Sequence, residues 1–267
     1  MSKIVNGHVY NGWKPELPDF NDLMYSEHLL FKDRGLCGVT QYKDVDLRPN
    51  SPACWNQLSI NSCVAHGCSY LFAYAGILEK TDSWTPSRLF VYYNARLLEN
   101  NENSDGGAYI RDGIKCLAKY GVCPETDWAY NVAEVNVKPP TKAYQDAIKH
   151  KALTYYSVNN TSLDEIMSNL SAGFPITLGL SIYESFESDK VAKTGIIPMP
   201  SKTDKLLGGH CIAIAGAIMA KRQFILRNSW GSTGWGDKGY GYIPFDYVLN
   251  PKLATDCWTI RTTTLNT

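Results

Sequence analysis

Cys63 stands where a polar loop meets a long apolar-periodic segment, in the stretch QLSINSCVAHGCSYLFAYAGILE. A thiol in the first turn of a helix faces free backbone N–H groups and the positive end of the helix dipole, and both favour the thiolate. Gln57, upstream in the same stretch, carries a side-chain amide that can donate to a developing oxyanion. Far downstream, His210 follows Gly208 and Gly209, two glycines that leave open space beside an imidazole. Asn228 ends the next β-run. An amide oxygen there would accept the imidazole N–H and fix the ring's tautomer and direction. Trp230 would roof that hydrogen bond and keep water from it. Each residue also has a bland reading. Cysteine is among the most buried residue types, so Cys63 also fits a helix core. His210 beside Asn228 also fits a satisfied core histidine next to a turn. His66, on the same helix as Cys63, would lie along the first turn toward the core and is read as packing rather than as a general base.

The elements that must position these groups are legible in outline. A central helix is expected over residues 62–80, with one wide apolar face. Thr85-Pro86 reads as an N-cap and first-position pair opening a helix to about Leu98. A polar loop ending in Gly106-Gly107 leads to a third helix over residues 108–120, stopped by Gly121. A short helix follows near Tyr144. Ser162 and Glu165 have capping-box spacing for another short helix ending near Gly173. PITLGLSI alternates with Ile176, Leu178, Leu180 and Ile182 on one face. GHCIAIAGAIM, QFILRN, KGYGYIPF and CWTIRTTT supply further β-runs. Helices first and strands later make an α+β chain of two lobes, about 53–150 helical and about 151–262 strand, with a cleft between them. Residues 1–45 differ. They carry Pro15, Pro18 and scattered aromatics with no sustained period, and read as an extended arm that packs by Tyr10, Trp13, Phe20 and Tyr25.

Composition excludes several classes. The 267 residues hold 44% hydrophobic and 19% charged side chains, an ordinary globular balance. Lys plus Arg number 26 and Asp plus Glu 26, so no net charge draws the chain to nucleic acid or an anionic membrane. The longest apolar run, residues 211–220, is too short to cross a bilayer. The opening MSKIVNGHVYNGW has no continuous apolar stretch of the secretory kind. The eight cysteines form no CxxC pair and no Cys/His cluster at zinc spacing, so no metal site is expected. Reduced thiols in an intracellular setting are the simpler expectation.

Taken together, QLSINSCVAHG, GGHCIAIAGA and RNSWGSTGWGDKGYGYI, in this order, resemble the motifs of papain-like cysteine peptidases. DGGAYIRDGIKCLAKYG is similar to that family's glycine pair and following helix, so the resemblance covers about residues 45–262. It implies a two-lobe fold with a helical left lobe and an antiparallel, barrel-like right lobe. It also implies a thiolate–imidazolium pair of Cys63 and His210, an orienting Asn228, and an oxyanion site of Gln57 and the Cys63 N–H. The implied substrate is a peptide or protein, hydrolysed through a thioester without a cofactor. Gly106 and Gly107 would pair with an extended substrate. Tyr109, Leu178, Gly209 and residues near Cys257 would line the pocket for the residue two before the scissile bond, where a bulky apolar or aromatic group is expected. Departures point the same way. Val64 replaces a usual tryptophan, and Ile60 and Ser104 replace a disulfide pair of lysosomal relatives. With its short N-terminal segment the chain resembles bacterial and large-DNA-virus members; the missing disulfide pair and the lack of a signal segment favour an intracellular setting, the cytoplasm or, for a viral member, the virion, and leave the compartment itself unassigned. The arm is expected either to lie across the cleft, anchored by Trp13 and Tyr25, or to strap the back of the lobes. An exopeptidase or transpeptidase of the same fold, and a catalytically silent binding relative, are the alternatives.

Overall fold

The computed structural model describes residues 3–31, 41–81 and 84–263. A small antiparallel hairpin, β1 (Lys3–Val5) and β2 (His8–Tyr10), opens it. An extended run then leads to α1 (Tyr25–Phe31), a helix not anticipated among the surrounding prolines. After β3 (Val45–Asp46) come α2 (Cys63–Glu79), α3 (Arg88–Leu98), α4 (Ile110–Lys119) and α5 (Thr141–Ala147). Cys63 is the first residue of α2, as its position after the polar loop predicts. The helix is buried on every side as far as Gly76, not on one face alone, because it lies between α3 and α4 and the sheet. That approach is close. A β-carbon at Gly67 would overlap the Thr177 hydroxyl and sit 3.0 Å from Cys211 Sγ. The start of α3 differs from the sequence expectation. Ser87 is the cap, its side chain accepting from Phe90 N, while Pro86 bridges to Pro124 in extended conformation.

The second half continues as β4 (Ala152–Val158), α6 (Leu163–Ser171), β5 (Ile176–Tyr183), α7 (Asp189–Thr194), β6 (Leu206–Ile218), β7 (Gln223–Arg227), β8 (Tyr240–Pro244), α8 (Phe245–Val248) and β9 (Ala254–Thr263). The Ser162 side chain caps α6 by accepting from Glu165 N. Glu165 itself turns to the Asn159 amide rather than completing the reciprocal box. All strand pairings are antiparallel, in the order β4-β9-β5-β6-β7-β8, with β3 on β6. The 13 residues of β6 let it pair with β5 along its first part and with β7 and β3 along its last. His210 therefore sits inside a strand held on one side by Leu180, while Asn228 follows directly on β7. This is an α+β arrangement of a helical part and an antiparallel sheet, with the start of α2 against β6. The seven described cysteines are free and buried; Cys37 lies outside the described residues. No described helix is long and apolar enough to cross a membrane.

Candidate active site

The start of α2 aims backbone amides at the Cys63 sulfur. Its own N–H and that of Val64 act on the thiol, and Cys211 N donates to Sγ at 3.4 Å. Because His210 precedes Cys211 in β6, that bond brings the imidazole to the same corner. His210 Nε2 is 2.8 Å from Asn228 Oδ1, which also accepts from Ser229 N at 2.8 Å. An amide oxygen can only accept, so the ring carries its proton on Nε2 and leaves Nδ1 as a lone pair. His210 Nδ1 is buried and has no hydrogen-bond partner. Trp230 stacks on the same ring, 5.2 Å between centroids and 25° between planes.

Gln57 is fixed at both ends of its side chain. Its Nε2 donates to Ile60 O at 3.0 Å, and its Oε1 accepts from Ser229 Oγ at 2.6 Å. The Gln57 N–H donates to Ser229 O at 2.8 Å, tying the polar loop to the residue after Asn228. Arg227, buried on the other side of Asn228, donates to Pro52 O at 2.6 Å and Ala53 O at 2.7 Å. Tyr130 joins the loop to the helix start, giving its hydroxyl to Gln57 O at 2.8 Å and meeting Ser62 Oγ at 2.6 Å. Neither Arg227 nor Tyr130 stood out in the sequence, since each acts on residues distant along the chain.

The arm runs through this corner. A β-carbon on Gly12 would lie 2.5 Å from Cys63 Sγ and 2.8 Å from Asn61 O. Asn11 N donates to Gly209 O at 3.1 Å, Ala108 N to Gly12 O at 3.0 Å, and Lys14 N to Ala108 O at 3.2 Å. These bonds make a parallel bridge of Trp13 with Ala108. On one side of the thiol, His8 stacks on Trp230 at 3.6 Å and meets Glu187 at 3.0 Å. On the other, Trp13 lies flat on two glycines. A β-carbon at Gly209 would be 2.7 Å from its ring, and one at Gly179 would overlap it. Its indole N–H donates to Asp256 Oδ2 at 2.8 Å. Tyr10, Trp13 and Tyr25 are buried, whereas Phe20 is fully exposed.

The expected substrate residues divide accordingly. Gly209 meets the arm directly, and Gly107 backs onto the Asn11 and Gly12 carbonyls. Gly106 faces only Asn101 and Ser104 side chains, and the backbone pairing falls on Ala108 instead. Tyr109 lies beneath Lys14 Nζ, 5.4 Å from its ring centroid. Leu178 is wholly buried. Side chains alternate along a strand, so the neighbour Gly179, which faces Trp13, turns Leu178 to the opposite side. Asp256, adopting a left-handed φ of 58°, closes the pocket in the region expected near Cys257.

Burial pushes the Cys63 thiol up to about 12, against the lowering pull of the Cys211, Val64 and Cys63 amides. Burial likewise takes the His210 imidazole down to about 4, with the Asn228 hydrogen bond opposing it. Burial thus favours the neutral form of both groups in this arrangement.

Residues 43–255 match the model of the papain family of cysteine proteases. The chain belongs to that family. It is 38% identical over 241 residues to an uncharacterized peptidase C1-like protein of Acanthamoeba polyphaga mimivirus, covering 87% of this chain and 77% of that one. The crystal structure of xylellain, a cysteine protease from Xylella fastidiosa, superposes with a TM-score of 0.86 at 34% identity. The match covers 95% of this chain and 96% of xylellain. A digestive procathepsin L 3 of Tenebrio molitor larval midgut shares the fold with a TM-score of 0.67 at 16% identity, over 84% of this chain and 71% of that one. As a papain-family cysteine peptidase the protein is a hydrolase acting on peptide bonds, and it has viral and bacterial relatives.

Proposed function

We propose that Cys63 is the nucleophile and His210 its base. His210 Nδ1 takes the thiol proton as Sγ bonds to the peptide carbonyl carbon, and the oxyanion is held by the Cys63 N–H and the Gln57 amide. The C–N bond then breaks, the imidazolium returns the proton to the leaving amine, and a thioester remains. Water deprotonated by His210 hydrolyses it, restoring the thiol. Asn228 keeps the imidazole pointed at sulfur throughout. One observation carries this reading: His210 Nε2 is committed to Asn228 at 2.8 Å while Nδ1 lies without a partner beside the turn that bears Cys63.

Residues 1–45 act in this reading as an intramolecular cover over the peptidase body of residues 46–262. Trp13 fills the pocket, yet it follows Gly12, the residue at the sulfur. In a substrate the pocket residue must precede the scissile bond. The arm thus occupies the cleft backwards, as an inhibitor rather than a substrate. It also continues on both sides of Cys63, to His8 in one direction and Glu16 in the other. A cleft open at both ends favours an endopeptidase. The glycine-floored pocket, ending in the Asp256 carboxyl, suits a flat aromatic group with an N–H edge two residues before the scissile bond. The test is an internally quenched peptide panel varied at that position, run on the uncovered enzyme with Cys63→Ala as control. Trp and Phe lead the ranking on this account. Arg outperforming both would overturn the pocket reading, and turnover by Cys63→Ala would overturn the nucleophile.

A further inference from the structure

Behind the cleft is a small cavity of about 10 Å³, lined by His66, Asn228, Arg227, Trp55 and the Cys211–Ala213 segment of β6. Space of that size holds a single water. Two buried side chains on its wall, His66 and Asn228, each 3% exposed, carry one polar atom without a partner: His66 Nε2 and Asn228 Nδ2. Their polarities are complementary. His66 Nδ1 lies 3.0 Å from Ser62 O, so it holds the ring proton and leaves Nε2 an acceptor. Asn228 Oδ1 is taken by His210 and Ser229, so Nδ2 is a pure donor. Burial also brings the His66 imidazole down to about 3, which keeps it neutral and accepting through the working range.

We infer that one water in this cavity accepts from Asn228 Nδ2 and donates to His66 Nε2, making His66 a positioning residue for the Asn228–His210 pair. Asn228 is then anchored on both sides of its amide and does not rotate, which would set an N–H against the imidazole N–H. The chain Ser62–His66–water–Asn228–His210 also joins the first turn of α2 to β6, the two elements that must keep sulfur and imidazole in register.

This inference rests on the catalytic roles proposed above, and the experiment separates the two. The pH profile of Cys63 alkylation by iodoacetamide is measured on the full chain for wild type, His66→Phe, His66→Gln, Asn228→Ala and His66→Phe/Asn228→Ala, with thermal midpoints alongside. The acid limb marks formation of the ion pair. With weaker support for the imidazolium, His66→Phe moves that limb up by about 0.5 pH unit and slows labelling by up to about threefold on that limb. His66→Gln, which keeps a polar group at the cavity, recovers much of the loss, and His66→Phe has no further effect once Asn228 is Ala. An unmoved limb in His66→Phe, or an equal shift on the Asn228→Ala background, overturns the role of His66. An unmoved limb in Asn228→Ala overturns the parent reading instead. Should His66→Phe not fold, an atomic-resolution crystal structure of the wild-type chain decides. A water within hydrogen-bond distance of both atoms supports the inference, and a dry cavity ends it.

Discussion

Gly12 of the arm presses on Cys63 so closely that a β-carbon there would stand 2.5 Å from the sulfur. The segment that covers the thiol thus tolerates no side chain at its point of closest approach. Gly12→Val must therefore loosen the arm. Overpacking of this kind costs on the order of 1–3 kcal/mol, so the uncovered population rises about fivefold or more. Cys63 alkylation at neutral pH is expected to accelerate by that factor. An unchanged rate in a folded variant means the arm does not protect the thiol.

The arm's far end carries a pH dependence. Glu16 accepts from Arg111 N and faces the Arg111 guanidinium, with Asp22 on that guanidinium at 2.7 Å and Asp256 bonded to the Glu16 N–H at 3.0 Å. Burial and the two neighbouring carboxylates raise Glu16 to about 7, while Arg111 opposes them. The docked value lies above the free one, so docking favours the protonated acid. Its contribution is complete below about pH 4.5 and is lost as pH rises through about 7. Hydrogen exchange at the Lys14 amide, on a Cys63→Ala background, should show docking weakening between those values. Glu16→Gln should flatten the profile and tighten the arm at pH 8. A profile identical to the parent's removes Glu16 from the account.

Gln57 gives a kinetic prediction. Gln57→Ala removes one donor from the oxyanion, and such losses cost about 10²–10³ in kcat. KM should change little, because the donor strengthens only as charge develops. Thiol alkylation, which forms no oxyanion, should fall far less than turnover. Equal losses in both would make Gln57 a scaffold for Ser229 and Ile60 alone.

Gly67→Val tests the packing that sets Cys63 against the sheet. Its branches would overlap Thr177 and crowd Cys211, and destabilisation of about 2 kcal/mol or more is expected from denaturant midpoints. A neutral effect would show that α2 can move off β5 without cost.

The proposed catalytic set was legible because its parts announce themselves locally: Gln57 and Cys63 flank one helix start, His210 lies in the glycine-led first half of β6, and Asn228 directly follows β7. What the sequence left obscure depends on phase and on distant neighbours. Alternation alone could not say whether Leu178 or Gly179 faces the cleft; Trp13 decides it by needing the glycine. Asp256 becomes a pocket residue only through an indole 243 positions away in the chain. Ser87 displaced Thr85-Pro86 as the cap of α3 because Pro86 is held extended against Pro124. Burial acts on the thiol against the first-turn amides for a similar reason. The Cys211, Val64 and Cys63 amides pull it down, but burial removes the water that would stabilise the charge.

The central claim, a Cys63 nucleophile under a removable cover, is tested most directly by intact-protein mass spectrometry after exposure to an epoxide inhibitor. One adduct on Cys63 is expected, formed slowly in wild type, faster in Gly12→Val and not at all in Cys63→Ala. An adduct that persists in Cys63→Ala, or forms at the same rate with and without the Gly12 substitution, would contradict it.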